Sequence, residues 1–404
     1  MVNLAVIATT LVGVLLLPAA VLGAPVDVVD HNIKDRYIVT LKPGVTIERR
    51  EAHLERVASL HKRSLGRRDL PGTESTVTIE DFHAYYGKFD GATVEEIKKD
   101  PDMHQVAAVE PDQIWTTSAQ VVQNGSTWGL AAISHHGPGF DSYIYDDAVS
   151  GADMYAYVID SGINIDHVEF GGRAVRGYNA WGGAHTDASG HGTHVAGTIG
   201  GKTYGVFKDV NLIDVKVFGT SSSTTSIILE AYTWTVNDIL NKNRTAKSVI
   251  NMSLSARTSD AYSAAIAAAY KSGVLSVVAA GNDNLLSSSR SPGSAPEAIT
   301  VGAIASDWSE TEYSNYGPSV DVLAPGTFVL SAYIGSNTAT ESMTGTSSAS
   351  PHVAGLALYL MARDGLSSPA TVADRIKELA TPNVVTLLKP GTPNLVAFNG
   401  NSLA

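Results

Sequence analysis

Residues 345–355 have the sequence GTSSASPHVAG, a run of small residues that leads into an apolar segment predicted to be helical from Val353. Ser347 is therefore expected on the turn before a helix. Unpaired backbone N–H groups and the positive end of the helix dipole favour negative charge at such a place. Acyl transfer develops negative charge beside its nucleophile, so Ser347 is a candidate nucleophile. The alternative is helix capping, for which Gly-Thr-Ser-Ser is also typical.

The composition indicates a globular protein. The chain has 404 residues, of which 44% are hydrophobic and 17% charged, enough for one large domain and a smaller one. A formal net charge of −12 argues against nucleic acid or an anionic membrane as a partner. The chain has no cysteine, which excludes thiol catalysis and cysteine metal sites.

The first residues are typical of a secretory signal peptide, which we place at residues 1–23. Residues 11–22 are almost wholly apolar, and Gly23 is a small residue suited to cleavage. A membrane anchor is the alternative, but the apolar segment is short and is interrupted by Pro18. We therefore expect a secreted protein without a membrane segment. Asn124 and Asn243 lie in sequons with surface-like surroundings and are candidate glycosylation sites, whereas the sequon at Asn251 lies in an apolar run.

A change in charge density divides the chain near residue 120. Residues 24–119 contain 30 charged side chains, whereas the 285 residues from 120 to 404 contain 38. The first block has a β-α-β-β-α-β-like pattern, which predicts a small α+β domain of ferredoxin-like type. Its clearest elements are strands at residues 36–41, 82–86 and 106–115 and helices at 48–65 and 93–99. The segment 116–124 is polar and is expected to be exposed.

Residues 121–404 alternate short apolar strands with helices, a pattern that predicts an α/β domain with a buried, mostly parallel sheet flanked by helices. Ligands bind such sheets at the carboxyl ends of their strands. The predicted strands are 154–159, 212–218, 248–254, 274–280 and 299–304, and the predicted helices are 191–200, 225–240, 260–271 and 353–363.

Three further residues at strand ends or helix starts complete a possible catalytic set. Asp160 ends a strand and could orient an imidazole, although Asp-Ser-Gly is more often a helix cap or turn. Asp-Ser-Gly could also be half of an aspartic-protease dyad, but the sequence has no second copy. His191, between two glycines, is a candidate general base. His191 and His194 could also be metal ligands, but no nearby carboxylate completes a zinc pattern. Asn282 follows a strand and could donate to an oxyanion, or be a turn residue.

The stretches 158–162, 190–197, 279–282 and 345–355, in the order Asp, His, Asn, Ser, resemble the subtilisin-type serine proteases, in particular the proteinase-K-like secreted enzymes of fungi. The resemblance implies that Asp160, His191 and Ser347 form a triad, that Asn282 is an oxyanion donor, and that no catalytic cofactor is needed. Residues 36–115 resemble the inhibitory propeptide of the family. The expected division is signal peptide 1–23, propeptide 24–120 and catalytic domain 121–404, with self-cleavage near residues 119–121.

The resemblance also implies binding residues for protein and peptide substrates. One wall of the main specificity pocket corresponds to Ser253, Leu254 and Ser255, and the opposite wall to Ala279, Ala280 and Gly281. The family usually has two glycines after that leucine, whereas this chain has Ser255 and Ala256, which are expected to narrow the pocket mouth.

A structural Ca²⁺ site is implied at Pro296, Ala298 and Asp321. We expect a monomeric, broadly specific serine endopeptidase that its own propeptide inhibits. The rival hypotheses are a pseudoenzyme on the same fold and a membrane-anchored or intracellular processing enzyme. The second would need acidic residues around the pocket, and the wall segments offer none.

Overall fold

The computed structural model describes residues 34–63, 70–99, 105–112 and 120–403. The chain separates into two compact units, Met1–Thr116 and Thr117–Ala404. The expected signal peptide lies outside the described residues. Each unit has its own sheet and its own hydrophobic core.

The first unit has the predicted β-α-β-β-α-β order. Its four strands form an antiparallel sheet in the order β2-β3-β1-β4. Two helices cover one face and bury a small core that includes Val39, Val57 and Phe89. The elements are β1 Arg36–Leu41, α1 Ile47–Arg63, β2 Gly72–Ile79, β3 Phe82–Lys88, α2 Gly91–Lys99 and β4 Val106–Pro111.

The second unit is built on a nine-stranded sheet in the order β18-β19-β15-β14-β12-β10-β7-β9-β8. All neighbours in it are parallel except β18 and β19. The strands are β5 Gln120–Asn124, β6 Ser142–Asp146, β7 Tyr155–Asp160, β8 Ala174–Asn179, β9 Asn211–Lys216, β10 Ser248–Met252, β11 Ala256–Arg257, β12 Leu275–Ala279, β13 Arg290–Ser291, β14 Ile299–Ile304, β15 Val322–Pro325, β16 Val329–Ala332, β17 Thr340–Met343, β18 Thr381–Pro382 and β19 Leu395–Val396. The helices are α3 Trp128–Ser134, α4 His191–Gly200, α5 Thr225–Asn241, α6 Asp260–Lys271, α7 Thr346–Asp364 and α8 Pro369–Leu379.

Helices pack on both faces of this sheet because its central strands are apolar on both sides. Ala156 and Val158 of β7 belong to a core shared with α4 and α7, whereas Tyr157 and Ile159 belong to a core shared with α5 and α6. This is the alternation that a strand buried on both faces requires. The predicted α/β class with a mostly parallel, helix-flanked sheet is confirmed.

Helix α7 begins at Thr346, seven residues before the predicted start at Val353. Ser347 is therefore the second residue of the helix and not part of the preceding turn. Pro351 fits here because its missing N–H would have bonded the carbonyl of Ser347, and the Ser253 hydroxyl donates to that carbonyl at 2.8 Å instead. The proline made the helix difficult to recognise from sequence.

The polar segment before residue 125 also differs from its prediction. Residues Gln120–Asn124 form strand β5, which pairs antiparallel with β6, and Val121 lies opposite Tyr145. This pairing was not predicted. The expected exposure holds in part, since Val122 and Asn124 are exposed and the other three residues are half-buried.

Candidate active site

The four candidate catalytic residues all lie at the carboxyl edge of the central strands. Asp160 is the last residue of β7, and His191 is the first residue of α4. Asn282 follows β12 by three residues, and Ser347 is in the first turn of α7. The parallel order of the sheet brings these separate chain segments to one edge.

Asp160 and His191 form a close pair. His191 Nδ1 lies 2.7 Å from Asp160 Oδ1, so the imidazole donates from Nδ1 to the carboxylate. Asp160 is only 1% exposed, and its second oxygen has no hydrogen-bond partner in the described residues. A buried carboxylate of this kind fixes the tautomer of the imidazole, which leaves Nε2 to exchange a proton.

Electrostatics favour the protonated form of His191. Burial alone would lower the pKa of His191, but the charge of Asp160, the hydrogen bond to it and the charge of Asp187 outweigh burial and hold the pKa above its ordinary value. An imidazole with a raised pKa is a strong base that can hold a proton during reaction.

Asp187 organises the loop before α4, a role that the sequence did not indicate. Its Oδ1 accepts from the backbone N–H groups of Ser189 and Gly190, and its Oδ2 accepts from the N–H and hydroxyl of Thr193. The hydroxyl of Ser161 also donates to Oδ1. These bonds pair backbone N–H groups at the start of α4 and connect this part of the helix to Ser161, the residue after Asp160.

The glycines beside His191 permit close approach, as the sequence predicts. A Cβ atom on Gly192 would stand 2.1 Å from the carbonyl oxygen of Gly162. Gly190 has a φ of 87°, and a Cβ there would stand 2.3 Å from the ring of Tyr333. Larger residues at either position would move His191 away from Asp160.

Ser347 and Asn282 lie around a common space. Asn282 Oδ1 accepts from the backbone N–H and the hydroxyl of Thr346, both at 2.8 Å, which orients the Asn282 amide. A methyl group placed on Gly345 would stand 2.9 Å from Ser347 Oγ and 3.2 Å from Asn282 Nδ2. An atom held in this space is therefore within reach of a nucleophile and of a hydrogen-bond donor.

Ser347 Oγ forms no hydrogen bond within the residues that the structure describes. Such bonds are often long in a site without substrate and shorten in the complex. Ser253 lines the same cleft of about 510 Å³ as Asp160 and His191, and its hydroxyl donates to the carbonyl of Ser347.

The two predicted substrate walls lie side by side. They follow β10 and β12, which are parallel neighbours with Met252 opposite Val278. A buried chain of hydrogen bonds supports the first wall: Ser350 Oγ donates to Asn251 Oδ1, and Asn251 Nδ2 donates to Ser253 Oγ. Asn315 supports the second wall through its bond to the carbonyl of Ala280 at 2.9 Å. Both wall segments are therefore held at the carboxyl edge of the sheet, where Ser347 also lies.

Comparison with known proteins agrees with this geometry. Residues 152–397 match the model of the subtilase family, and residues 36–118 match that of peptidase inhibitor I9. Alkaline protease 1 of Emericella nidulans is 53% identical over 393 residues, which cover 95% of this chain and 96% of that protein. The chain belongs to the subtilase family. It is a serine endopeptidase made as a zymogen with an N-terminal inhibitor domain.

Two further comparisons agree with the assignment to the subtilase family. Alkaline proteinase of Hapsidospora chrysogena is 51% identical over 396 residues, covering 95% of this chain and 96% of that protein. The solved structure of a cold adapted subtilisin-like serine proteinase matches with a TM-score of 0.63 and 38% identity, over 69% of this chain and all of that one. The predicted family and its subtilisin-like fold are confirmed.

The residues that the subtilase resemblance implied as calcium ligands are only partly suited to the ion. Asp321 Oδ2 accepts from the N–H of Thr300 at 2.9 Å, and Asp321 Oδ1 pairs with Lys377 Nζ at 2.7 Å. In the described part of the chain, no three acidic or histidine side chains cluster as metal ligands do. Ca²⁺ at Pro296, Ala298 and Asp321 would therefore have to displace the lysine ammonium.

Proposed function

We propose that Asp160, His191 and Ser347 are the catalytic triad of this subtilase. The observation that supports this most directly is the hydrogen bond of 2.7 Å between His191 Nδ1 and the buried carboxylate of Asp160. Ser347 Oγ attacks the peptide carbonyl while His191 Nε2 takes its proton. His191 then gives the proton to the leaving amine, and water repeats the sequence on the acyl-enzyme.

Asn282 stabilises the oxyanion in this proposal. Its Oδ1 is held by Thr346, so its Nδ2 group remains beside the space shared with Ser347 Oγ. The N–H of Ser347 lies in the first turn of α7, where backbone donors lack helical acceptors. Both donors favour the negative charge of the tetrahedral intermediate.

The proposed roles are tested by covalent labelling. A sulfonyl fluoride that reacts with activated serines is expected to modify Ser347 alone in the mature enzyme, with the adduct located by peptide mass mapping. Asp160→Asn should slow labelling strongly, because His191 then loses the partner that fixes its tautomer. A first adduct on another serine, or equally fast labelling in Asp160→Asn, would contradict the assignment.

A pseudoenzyme is the second candidate. Since all four catalytic side chains are present and two of them are already paired, we prefer the active enzyme. A protein that neither reacts with the reagent nor cleaves casein after removal of residues 24–120 would support the pseudoenzyme.

We further propose the chain's processing. Residues 1–23 are removed on secretion, and the enzyme cleaves itself near residues 119–121 to separate propeptide 24–120 from catalytic domain 121–404. Because β5 begins at Gln120, a cut here leaves nearly the whole strand on the catalytic domain.

The mature protein is proposed to be a monomer that acts on proteins and peptides and binds no nucleic acid. Within the described residues, no helix is long and apolar enough to cross a bilayer.

Two modifications complete the proposal. Asn124 and Asn243 are exposed and are proposed to carry glycans, whereas Asn251 is fully buried, so the folded chain has no room for a glycan there. Ca²⁺ binding at Pro296, Ala298 and Asp321 is proposed with Lys377 as its competitor. A melting temperature raised by Ca²⁺, and raised further in Lys377→Met, would support the site; no response in either protein would exclude it.

A further inference from the structure

The two substrate walls are hydrogen-bonded to the first two residues of α7, Thr346 and Ser347. Ser253 Oγ donates to the carbonyl of Ser347 at 2.8 Å, and the N–H of Gly281 donates to the hydroxyl of Thr346 at 3.1 Å. The subtilase resemblance implies that a peptide whose carbonyl reaches Ser347 places that residue's side chain, the P1 side chain, between the segments 253–255 and 279–281. This step rests on the proposed role of Ser347.

The slot between the walls is narrow at Ser255. A Cβ atom built on Gly281 would stand 3.6 Å from Ser255 Oγ and 2.3 Å from Asn315 Nδ2. Asn315 is fully buried, and its amide is fixed by the carbonyl of Ala280 and by the N–H of Asp283. The wall at Gly281 is therefore supported from behind and cannot retreat from Ser255.

The distance between Ser255 and Gly281 decides which P1 side chains can enter the slot. Adding one carbon–carbon bond of about 1.5 Å to that 3.6 Å shows that Ser255 Oγ comes within about 5 Å of the Gly281 Cα. An aromatic ring between two walls needs facing atoms roughly 7 Å apart, because each face requires a contact of about 3.5 Å. The short side chain of alanine or serine does not have to pass between Ser255 and Gly281.

We propose that Ser255 sets the size of the P1 side chain and that the enzyme prefers small residues such as alanine or serine at P1 over aromatic ones. The hydroxyl narrows the slot, and the Cβ that carries it keeps part of the restriction when the hydroxyl rotates. Ser255 does not take part in the chemistry, so it acts on the choice of substrate alone.

Ala256 provides the matched control. It belongs to β11, where it lies opposite Ser291. Its side chain lines the same cleft as Ser255 and also a separate pocket with Ile228 and Tyr262. Of Ser255 and Ala256, only Ser255 is among the nearest neighbours of a Cβ built on Gly281. Ala256→Gly removes a Cβ from the adjacent position without opening the slot beside Gly281.

The experiment compares two chromogenic peptides that differ only in P1, alanine against phenylalanine, with mature enzyme obtained from the full chain. Wild type is expected to have the higher kcat/KM for alanine. Ser255→Gly should raise the phenylalanine-to-alanine ratio about tenfold or more, the effect that small volume changes have in apolar pockets. Ser255→Ala should give a smaller rise, and Ala256→Gly should leave the ratio unchanged.

A wild-type preference for phenylalanine, or a ratio that Ser255→Gly leaves within twofold, would overturn the proposal. An equal rise in Ala256→Gly would also overturn it, since the slot would not be the cause. The two proposals remain separable because Ser347→Ala is measured on the alanine peptide. If Ser347→Ala loses activity on the alanine peptide while Ser255→Gly keeps the wild-type P1 ratio, only the role of Ser255 is rejected. If Ser347→Ala keeps its activity, Ser347 is rejected as the nucleophile. Melting temperatures of all variants show whether each is folded.

Discussion

His191 and His194 lie one turn apart in α4 and have opposite environments. His191 meets the carboxylate of Asp160, and its pKa is held above the ordinary value. The Nε2 group of His194 lies 2.8 Å from the carbonyl of Val329, and burial lowers the pKa of His194 to about 4. His352 of α7 resembles His194: it is fully buried, bonds the carbonyl of Ser348 and has a pKa lowered to about 4. One imidazole is placed to exchange protons and two are placed to stay neutral.

The difference shows that the role of each histidine follows from the group it contacts and not from the sequence motif that both share. In the sequence both histidines of α4 belong to the same small-residue stretch, and a shared metal was a possible explanation. The structure points them at different groups, since His194 bonds a backbone carbonyl on β16. Within the described residues, no three histidine or acidic side chains cluster as metal ligands do.

The largest expected effect comes from removing the partner of His191. Asp160→Asn should lower kcat on a peptide substrate by about 10⁴-fold, the order of loss that follows replacement of the triad aspartate in serine proteases. The amide can no longer hold the imidazole in the tautomer that leaves Nε2 free to accept a proton. Stopped-flow or progress-curve kinetics measures the loss. A rate within tenfold of wild type, in a variant with an unchanged melting temperature, would show that Asp160 does not orient His191.

The second prediction concerns His194 and His352. Each is neutral in the folded protein down to a pKa of about 4, whereas an unfolded histidine titrates near 6.5. The unfolded chain therefore binds more protons as the pH falls from about 6.5 to 4, and the free energy of unfolding decreases over that window. The expected loss is on the order of 3 kcal/mol for each histidine at pH 4. Above pH 6.5 this contribution is fully present.

Urea unfolding of the Ser347→Ala chain, which is expected not to digest itself, measures this loss between pH 7 and pH 4. His352→Gln in the same background is the control, because glutamine can still donate to the Ser348 carbonyl but does not titrate. The variant should lose less stability on acidification than its parent. The same pH dependence in both proteins would mean that His352 is not the titrating group.

The third prediction is the pH dependence of activity. Because the pKa of His191 is raised and the reaction needs its neutral form, kcat/KM should increase with pH through a midpoint above about 6.5. Below that midpoint the protonated imidazole cannot accept the proton of Ser347. A pH–rate profile with its acid midpoint clearly below 6.5 would show that Asp160 and Asp187 do not outweigh burial.

The smallest effect is expected from Asp187→Asn. The charge of Asp187 raises the pKa of His191 and is the smallest of the causes that do so, so its removal should shift the acid midpoint of kcat/KM to lower pH. Since the amide also loses part of the helix cap, the melting temperature should fall. A shift to higher pH would contradict the electrostatic role, whatever the change in stability.

Much of the fold was predictable because the central strands and helices have strong local patterns. The five predicted strands of the large sheet lie within two residues of the observed ones, and α4 and α6 have the predicted bounds. Strand β2 was not located because most of its side chains are exposed and polar. Strand β5 was missed because its stability comes from pairing with β6, a partner about twenty residues away.

The site was predictable for residues that carry their own chemistry and not for those that act through shape. Asp160, His191, Asn282 and Ser347 are reactive or donor groups at strand and helix ends. Asp187 was missed because its importance depends on five donors that only the folded chain brings together. The closeness of Ser255 to Gly281 likewise requires the spacing of β10 and β12, which the sequence does not contain.

The most direct test of the triad is to express the full chain and its Ser347→Ala variant and to compare their masses and caseinolytic activities. We predict that the wild type is processed near residue 120 and digests casein, while the variant stays unprocessed at that position and inactive. A variant that also processes itself and digests casein would show that Ser347 is not the nucleophile.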